Sequence, residues 1–304
     1  MYNLTLPKNC SSNCFDSIFY SLLKYFGYDY KIYNIKYYYN NYYNTHSHDI
    51  CRGNSSLNIL KGVYGITTLF NDRKYMINIF DIVCTSLNKT PVGIVIDPYY
   101  CHWSPFFQKS HHNHAFLIVD IDYYNKQYIC FDVHYNSTGY IKVDFDLINN
   151  HLIRYFTFRF NNTNEISFQL VLKKIETIVN SFDNNIDSKK AELFNYFTQT
   201  SRAILFPNGI VTSPVLINLM WIAEDKKHSQ ILFKYLEEKT NQFNFASVYE
   251  LLTDSERKFT LLKTILMKYA MTGMLKESTL KNIIDQIFDT DVLMISELKN
   301  ILGG

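Results

Sequence analysis

The chain has 304 residues, 47% of them hydrophobic, and a formal net charge of +2. That length allows two domains, and that composition supports a packed core and argues against global disorder. A charge so near zero, without a dense Lys/Arg run, argues against a nucleic-acid partner and leaves at most a mildly basic patch for an acidic protein.

No uninterrupted apolar run reaches bilayer-spanning length. Residues 1–10 lack the basic head and long apolar core of a signal peptide. The expectation is a soluble cytoplasmic protein with no membrane association. Its six cysteines then read as reduced thiols rather than a disulfide framework. The 25 tyrosines and 23 phenylalanines partly reflect drift toward Tyr, Asn, Ile and Lys, so single tyrosines carry little functional weight.

The first clear element runs from Asn13 to Gly27. Phe15, Ile18, Phe19, Leu22, Leu23 and Phe26 recur at helical spacing and define one buried face. Ser11, Ser12 and Asn13 are candidate caps, and Gly27 is a natural stop. Cys14 thus falls at the first turn, where unpaired N–H groups and the positive end of the helix dipole favour thiolate over thiol.

Residues 28–44 are rich in Tyr and Asn and read as short strands or turns over the first helix, with Ile32, Ile35 and Tyr39, or Tyr33 and Tyr37, toward a core. His46 to Asn54 is turn-like, and Ser56 to Tyr64 carries mixed signals. Tyr75 to Leu87 reads as a helix ended by Asn88-Lys89-Thr90-Pro91. The period then changes. Val92–Ile96 and Ala115–Val119 read as buried strands, separated by a loop holding Asp97, Trp103, Pro105 and Phe107. Gln127–Val133, Gly139–Phe145 and Leu152–Phe160 read as three more, the first joined by a hairpin turn near Tyr124-Asn125-Lys126. A helix followed by consecutive hairpin-linked strands is an α+β pattern. Asn161–Asn164 marks a boundary between domains 1–164 and 165–304. Beyond it the period stays helical, with helices expected near 168–182, 188–205, 215–225, 228–240, 245–272 and 277–302.

A thiol nucleophile needs a histidine to share its proton and a third group to orient that histidine. His114 directly precedes one buried strand, and Asp132 ends the next. On an antiparallel hairpin they can be neighbours, which makes Cys14, His114 and Asp132 the candidate catalytic set. Alone, a cysteine near a helix start is usually a small buried residue. Asp120 and Asp122 rival Asp132, and His134 rivals His114. Asp97 reads as a turn former or as a carboxylate that positions a cationic amine. Trp103 and Phe107 read as an apolar wall or as loop anchors, and His111 as a lining of the entrance. The clusters Cys10/Cys14, His46/His48/Cys51 and His111/His112/His114 lack paired zinc-ligand spacing, so no metal site is expected.

Cys14 with Gly27 thirteen residues on, through Leu22, Tyr25 and Phe26, resembles the start of bacterial papain-like cysteine peptidases of the bacteriocin-leader type. His114 with Asp132 eighteen residues on resembles their second half. The stretch Pro91–Asp97, followed by Tyr99, Tyr100, Trp103, Phe107, His111, His114 and Asp122, is similar to the N-terminal domain of butirosin-type acyltransferases. These move an acyl group from a carrier-protein thioester to an amine. The resemblance covers roughly the first half of the chain. It implies a papain-like α+β domain followed by an all-helical C-terminal domain. It makes Cys14 the nucleophile, His114 the base and Asp132 the orienting acid. It implies an acyl or peptidyl carrier protein and an amine as partners, in the assembly of an antibiotic-like or peptide-like metabolite. No cofactor of the chain's own is implied, since phosphopantetheine belongs to the carrier.

Two positions depart from the peptidase pattern. The glutamine expected six residues before the cysteine is Lys8, so Asn9 or Asn13, or backbone N–H groups, would hold the oxyanion. Val133 stands where proline often follows the aspartate. A peptidase or amidase using the same triad is the alternative, and a non-catalytic binding scaffold is a third reading.

Overall fold

The computed structural model describes residues 2–8, 13–35, 52–73, 78–135, 139–161, 168–180, 182, 185–206 and 213–303, with the side chains of 52–55 excepted. By its contacts the chain divides into two units, residues 1–30 with 56–166 and residues 31–55 with 167–304. The sequence reading drew one boundary, after residue 164, and did not separate 31–55 from its neighbours.

In the first unit, helix α1 (Cys14–Tyr25) begins at Asn13 in extended conformation, whose Oδ1 accepts from the Asp16 N–H at 2.9 Å. Ile18, Phe19, Leu22 and Leu23 are buried along it. Each such side chain contributes about 1.5–3 kcal/mol when removed from water. Ser17 and Ser21 share the buried face because their hydroxyls donate to the carbonyls four residues back, at 2.9 and 2.7 Å. The helix stops where Gly27 takes φ +76°, a left-handed conformation that a Cβ disfavours, and Tyr28 N–H returns to the Leu23 carbonyl at 2.8 Å.

Helix α2 (Arg52–Tyr64) leads to strand β1 (Ile66–Asp72), and helix α3 (Ile79–Ser86) to β2 (Val92–Ile96). There follow β3 (His114–Asp122), β4 (Gln127–Phe131), β5 (Tyr140–Asp144), the short helix α4 (Phe145–His151) and β6 (Leu152–Phe160). The six strands form one sheet in the order β1-β6-β2-β3-β4-β5, with every neighbour pair antiparallel. The sheet and its helices are an α+β arrangement. Strand β1 and helix α4 were not foreseen: Ile66–Asp72 has a mixed burial pattern without clean alternation, and α4 spans only seven residues.

Paired residues share a face. Phe70, Phe156, Gly93, Leu117 and Phe131 form one such row across five strands. Helix α1 covers it, with Phe15 against Phe156 and Phe70 and Phe19 against Phe158. Gly93 is required there, since a Cβ would stand 2.1 Å from the Phe156 ring. The opposite face carries Ile94, Phe116, Ile118 and Cys130, packed with Val83 of α3, Ile148 of α4 and Cys101 from the loop after β2. The N-terminal segment is tied to this unit by Tyr140, whose hydroxyl accepts from Leu4 N–H at 2.5 Å and lies 2.9 Å from the Leu4 carbonyl.

In the second unit the described elements after residue 167 are helices: α5 (Phe168–Asn180), α6 (Ile186–Gln199), α7 (Arg202–Leu205), α8 (Pro214–Thr240), α9 (Ala246–Thr272) and α10 (Glu277–Gly303). Leu216, Leu219, Phe259, Leu262, Leu266, Ile283 and Ile287 are among its core. Lys31–Ile35 continues a 3-10 turn and groups here, with Lys31 Nζ 5.3 Å from the Tyr235 ring. The two helices expected at 215–225 and 228–240 are one. The charged run Glu224-Asp225-Lys226-Lys227 lies inside it: Asp225 and Lys226 are buried, and Lys226 Nζ meets Asp291 Oδ1 at 2.9 Å. Ser255 donates to the same oxygen at 3.2 Å, so α8, α9 and α10 share one buried polar knot. Among the described residues, no helix is long and apolar enough to cross a membrane.

Candidate active site

The register of the sheet brings His114 and Asp132 together. Leu117 pairs with Phe131, so one step further Asp132 lies across from Phe116, two residues from His114 on the same side of β3. From that diagonal position His114 Nε2 meets Asp132 Oδ2 at 2.7 Å, with both side chains buried. The same carboxylate oxygen accepts from Trp103 Nε1 at 2.8 Å. Its other oxygen accepts from the backbone N–H groups of His134, at 3.2 Å, and Tyr135, at 3.4 Å. Burial alone would raise the Asp132 pKa, but the hydrogen bond and charge of His114, with the Trp103 and Tyr135 donors, bring it below the ordinary carboxylate value. Asp132 is therefore the anion, and Nε2 of His114 carries the proton it accepts.

The other ring nitrogen, His114 Nδ1, is buried and has no full hydrogen bond among the described residues. Cys14 nonetheless acts on this ring through both hydrogen bonding and charge. With Nε2 held by Asp132, Nδ1 is the nitrogen left for the thiol. Catalytic hydrogen bonds are commonly loose before substrate binds. The ring is turned the opposite way from the serine-protease template, where Nε2 faces the nucleophile. Burial pulls the His114 pKa down, yet the hydrogen bonds and charges of Asp132 and Cys14 outweigh it and hold it at about 9. His114 is thus an imidazolium at neutral pH. Its neighbours His112 and His134 are both pushed below the ordinary histidine value, first by burial and then by repulsion from His114.

No model of a known protein family matches this chain, and no curated protein matches it.

Cys14 is half-buried, a free thiol that a substrate can reach. It is the first residue of α1, and among the described residues no hydrogen bond is made by its N–H or by that of Phe15. These are the donors available to an oxyanion on a Cys14 adduct. The Asn13 side chain does not serve there: its Oδ1 caps Asp16 N–H and its Nδ2 donates to Asp16 Oδ2 at 2.7 Å. Asn9 and Cys10 lie outside the described residues, as do His46, His48 and Cys51.

The remaining expected residues fall in the loop between β2 and β3. Asp97 does not stand free for an amine. Its Oδ1 caps Tyr99 N–H at 3.0 Å, and its Oδ2 pairs with His111 Nδ1 at 2.6 Å. The His111 ring stacks on Tyr99 at 4.2 Å and is solvent-facing. Trp103 is not a bare apolar wall, since its indole N–H is spent on Asp132 while its ring packs edge-on against Phe116 at 5.9 Å. Phe107 is exposed. Among the described residues, no group of three or more His, Cys, Asp or Glu side chains is arranged to hold a metal ion. Two participants escaped the sequence reading, Trp103 as a donor to Asp132 and Tyr135 as a ring stacked on His114. An aromatic in a loop carries no periodic signal of such a role.

The buried pair makes stability depend on pH. His114 has a raised pKa, so its contribution is complete below pH 6.5 and is lost as the pH rises through about 9. Asp132 has a lowered one, so its contribution is present above pH 3.8 and is lost as the pH falls through the folded value. The pair stabilises most between about pH 4 and 6.5. Between pH 6.5 and 9 the loss is expected to reach roughly 3 kcal/mol. Urea unfolding of wild type and His114→Gln across that range measures it as a shrinking difference. A difference that stays flat refutes the coupling.

Proposed function

We propose that this protein is a thiol-dependent acyltransferase, in which Cys14 carries an acyl group from a carrier-protein thioester to an amine. The observation that carries the thiol chemistry is the buried His114–Asp132 pair at 2.7 Å, with Cys14 among the groups that raise the pKa of the His114 ring. The carrier-protein donor, the amine acceptor and the papain-like description of the first unit rest on the resemblance to butirosin-type acyltransferases. Phosphopantetheine would arrive as part of the donor.

In this reading the Cys14 proton resides on His114 Nδ1. The Cys14 sulfur adds to the donor carbonyl, and the oxyanion is held by the first-turn N–H groups of α1. The carbon–sulfur bond to pantetheine breaks, and the leaving thiolate takes the proton from Nδ1. The acyl group is now a thioester on Cys14. Acylation also removes the sulfur's charge, which is one of the causes that hold a proton on His114. The imidazole becomes easier to keep neutral at the moment a base is needed. It accepts the proton of the attacking amine, the Cys14–carbon bond breaks, and the amide leaves.

Intact-protein mass tests the proposal, with wild type and Cys14→Ala incubated with a panel of acyl-loaded carrier proteins. Wild type is expected to gain the acyl mass and lose it on adding an amine, while Cys14→Ala gains none. Cleavage of peptides or amides by a wild type that no carrier acylates would favour the hydrolase. A Cys14 thiol inert to alkylation at neutral pH would favour the scaffold.

A further inference from the structure

We propose that Tyr135 is a positioning residue, whose ring holds the His114 imidazole in line between Asp132 and Cys14 and favours its protonated form. The inference rests on the reading of Cys14 and His114 as the reacting pair, and it adds a group that acts through the imidazole ring.

The Tyr135 ring lies nearly parallel to the imidazole, with centroids 4.0 Å apart and planes 25° apart. Among the described residues no other aromatic contact of His114 is so close, since His134 and Phe116 both stand at 5.9 Å. An imidazole bonded through Nε2 alone keeps freedom to rock about that bond. A flat ring against one face removes most of that freedom, and the electron-rich face of a phenol attracts a cation.

Tyr135 is itself held at three points. Its backbone N–H donates to Asp132 Oδ1 at 3.4 Å, so the segment that orients the carboxylate also orients this ring. Its hydroxyl lies 3.2 Å from His112 Nε2. Burial, followed by the negative charges of Cys14 and Asp132, raises the phenol pKa, so the hydroxyl keeps its proton and donates it. His112 is pushed toward the neutral form that can accept it. Phe106 closes the group, edge-on to His112 at 4.5 Å and 5.9 Å from the Tyr135 ring. Among the described residues the titratable groups that face or act on His114 are Asp132, Cys14, His112, His134 and Tyr135, and of the rings Tyr135 lies nearest to its face.

The test is a pH titration of the His114 ring by NMR in wild type, Tyr135→Leu and Tyr135→Phe, with the rate of Cys14 alkylation at pH 7 as a second readout. Tyr135→Leu is expected to lower the His114 midpoint by about one pH unit and to slow alkylation several-fold. Tyr135→Phe keeps the ring and is expected to recover most of both. An unchanged midpoint in Tyr135→Leu, or a Tyr135→Phe variant as impaired as it, overturns the proposal. If Tyr135→Leu does not fold, His112→Ala frees the hydroxyl and leaves the ring. It should move the midpoint the same way by less, and no movement overturns the proposal. None of these readouts needs an acyl donor, so failure of the transferase reading in the carrier assay and failure of the Tyr135 proposal are separate results.

Discussion

Replacing Asp132 by asparagine is expected to lower turnover by about 10³–10⁴-fold, the scale seen when a triad carboxylate becomes an amide. It should also cost roughly 3 kcal/mol of stability, as when a buried ion pair loses one partner. The reason is donor counting. Asp132 accepts from His114 Nε2 and Trp103 Nε1 on one oxygen and from the His134 and Tyr135 backbone on the other. Asparagine offers one accepting oxygen and two donating hydrogens. If its oxygen faces the rings, its NH2 meets two backbone N–H groups. If it faces the backbone, its NH2 meets two ring N–H groups. Neither orientation satisfies the site, and neither supplies the charge that keeps a proton on His114. Steady-state acyl transfer and urea unfolding measure the two losses. Turnover within tenfold of wild type would remove Asp132 from the mechanism.

His114→Ala is expected to lower turnover by about 10²–10⁴-fold, the usual contribution of a positioned acid–base group. Three of the four donors to Asp132 remain, but the buried carboxylate loses its counter-charge, so the stability cost should be similar to that of Asp132→Asn. Added imidazole should restore part of the rate by entering the space the ring vacates. Accumulation and discharge of the Cys14 acyl-enzyme, followed by mass, separates the two half-reactions. Discharge at the wild-type rate would mean that another group accepts the amine's proton.

Much of the first unit was legible because its elements carry strong periods. The helix over Cys14 follows from six apolar residues and a capping asparagine, and the strands at 92–96 and 152–160 fall where the apolar run and the alternation placed them. His114 and Asp132 were legible as a pair because both sit at strand ends on one hairpin. The surroundings were not, because hydrogen bonds made across long sequence separations leave no local mark. Trp103 reaches Asp132 across 29 residues. Asn13 was read for the oxyanion although its amide is used at the cap, a local bond that outcompetes a distant role. Tyr135 was hidden by the abundance of its own residue type. In the second unit the helices expected at 215–225 and 228–240 are continuous, and Lys226 within them finds a buried partner 65 residues away, which no local pattern marks.

The strand order has a consequence for when the protein becomes competent during synthesis. The His114–Asp132 half of the site spans 18 residues and closes within one hairpin. The helix that bears Cys14 touches Tyr2 and Tyr30 close by in sequence, but its apolar face is covered from farther off. It docks through Phe15 and Phe19 on Phe156 and Phe158 of β6, the strand that closes this unit, and the N-terminal segment is tied to Tyr140 across 136 residues. Contacts of such separation form late, because the intervening chain must first be brought together. On the ribosome the base and its carboxylate can therefore assemble while the thiol waits for residue 160 to emerge. The nascent chain would carry an unarmed cysteine until β6 has emerged, and the three side chains would meet only once the sheet can be completed.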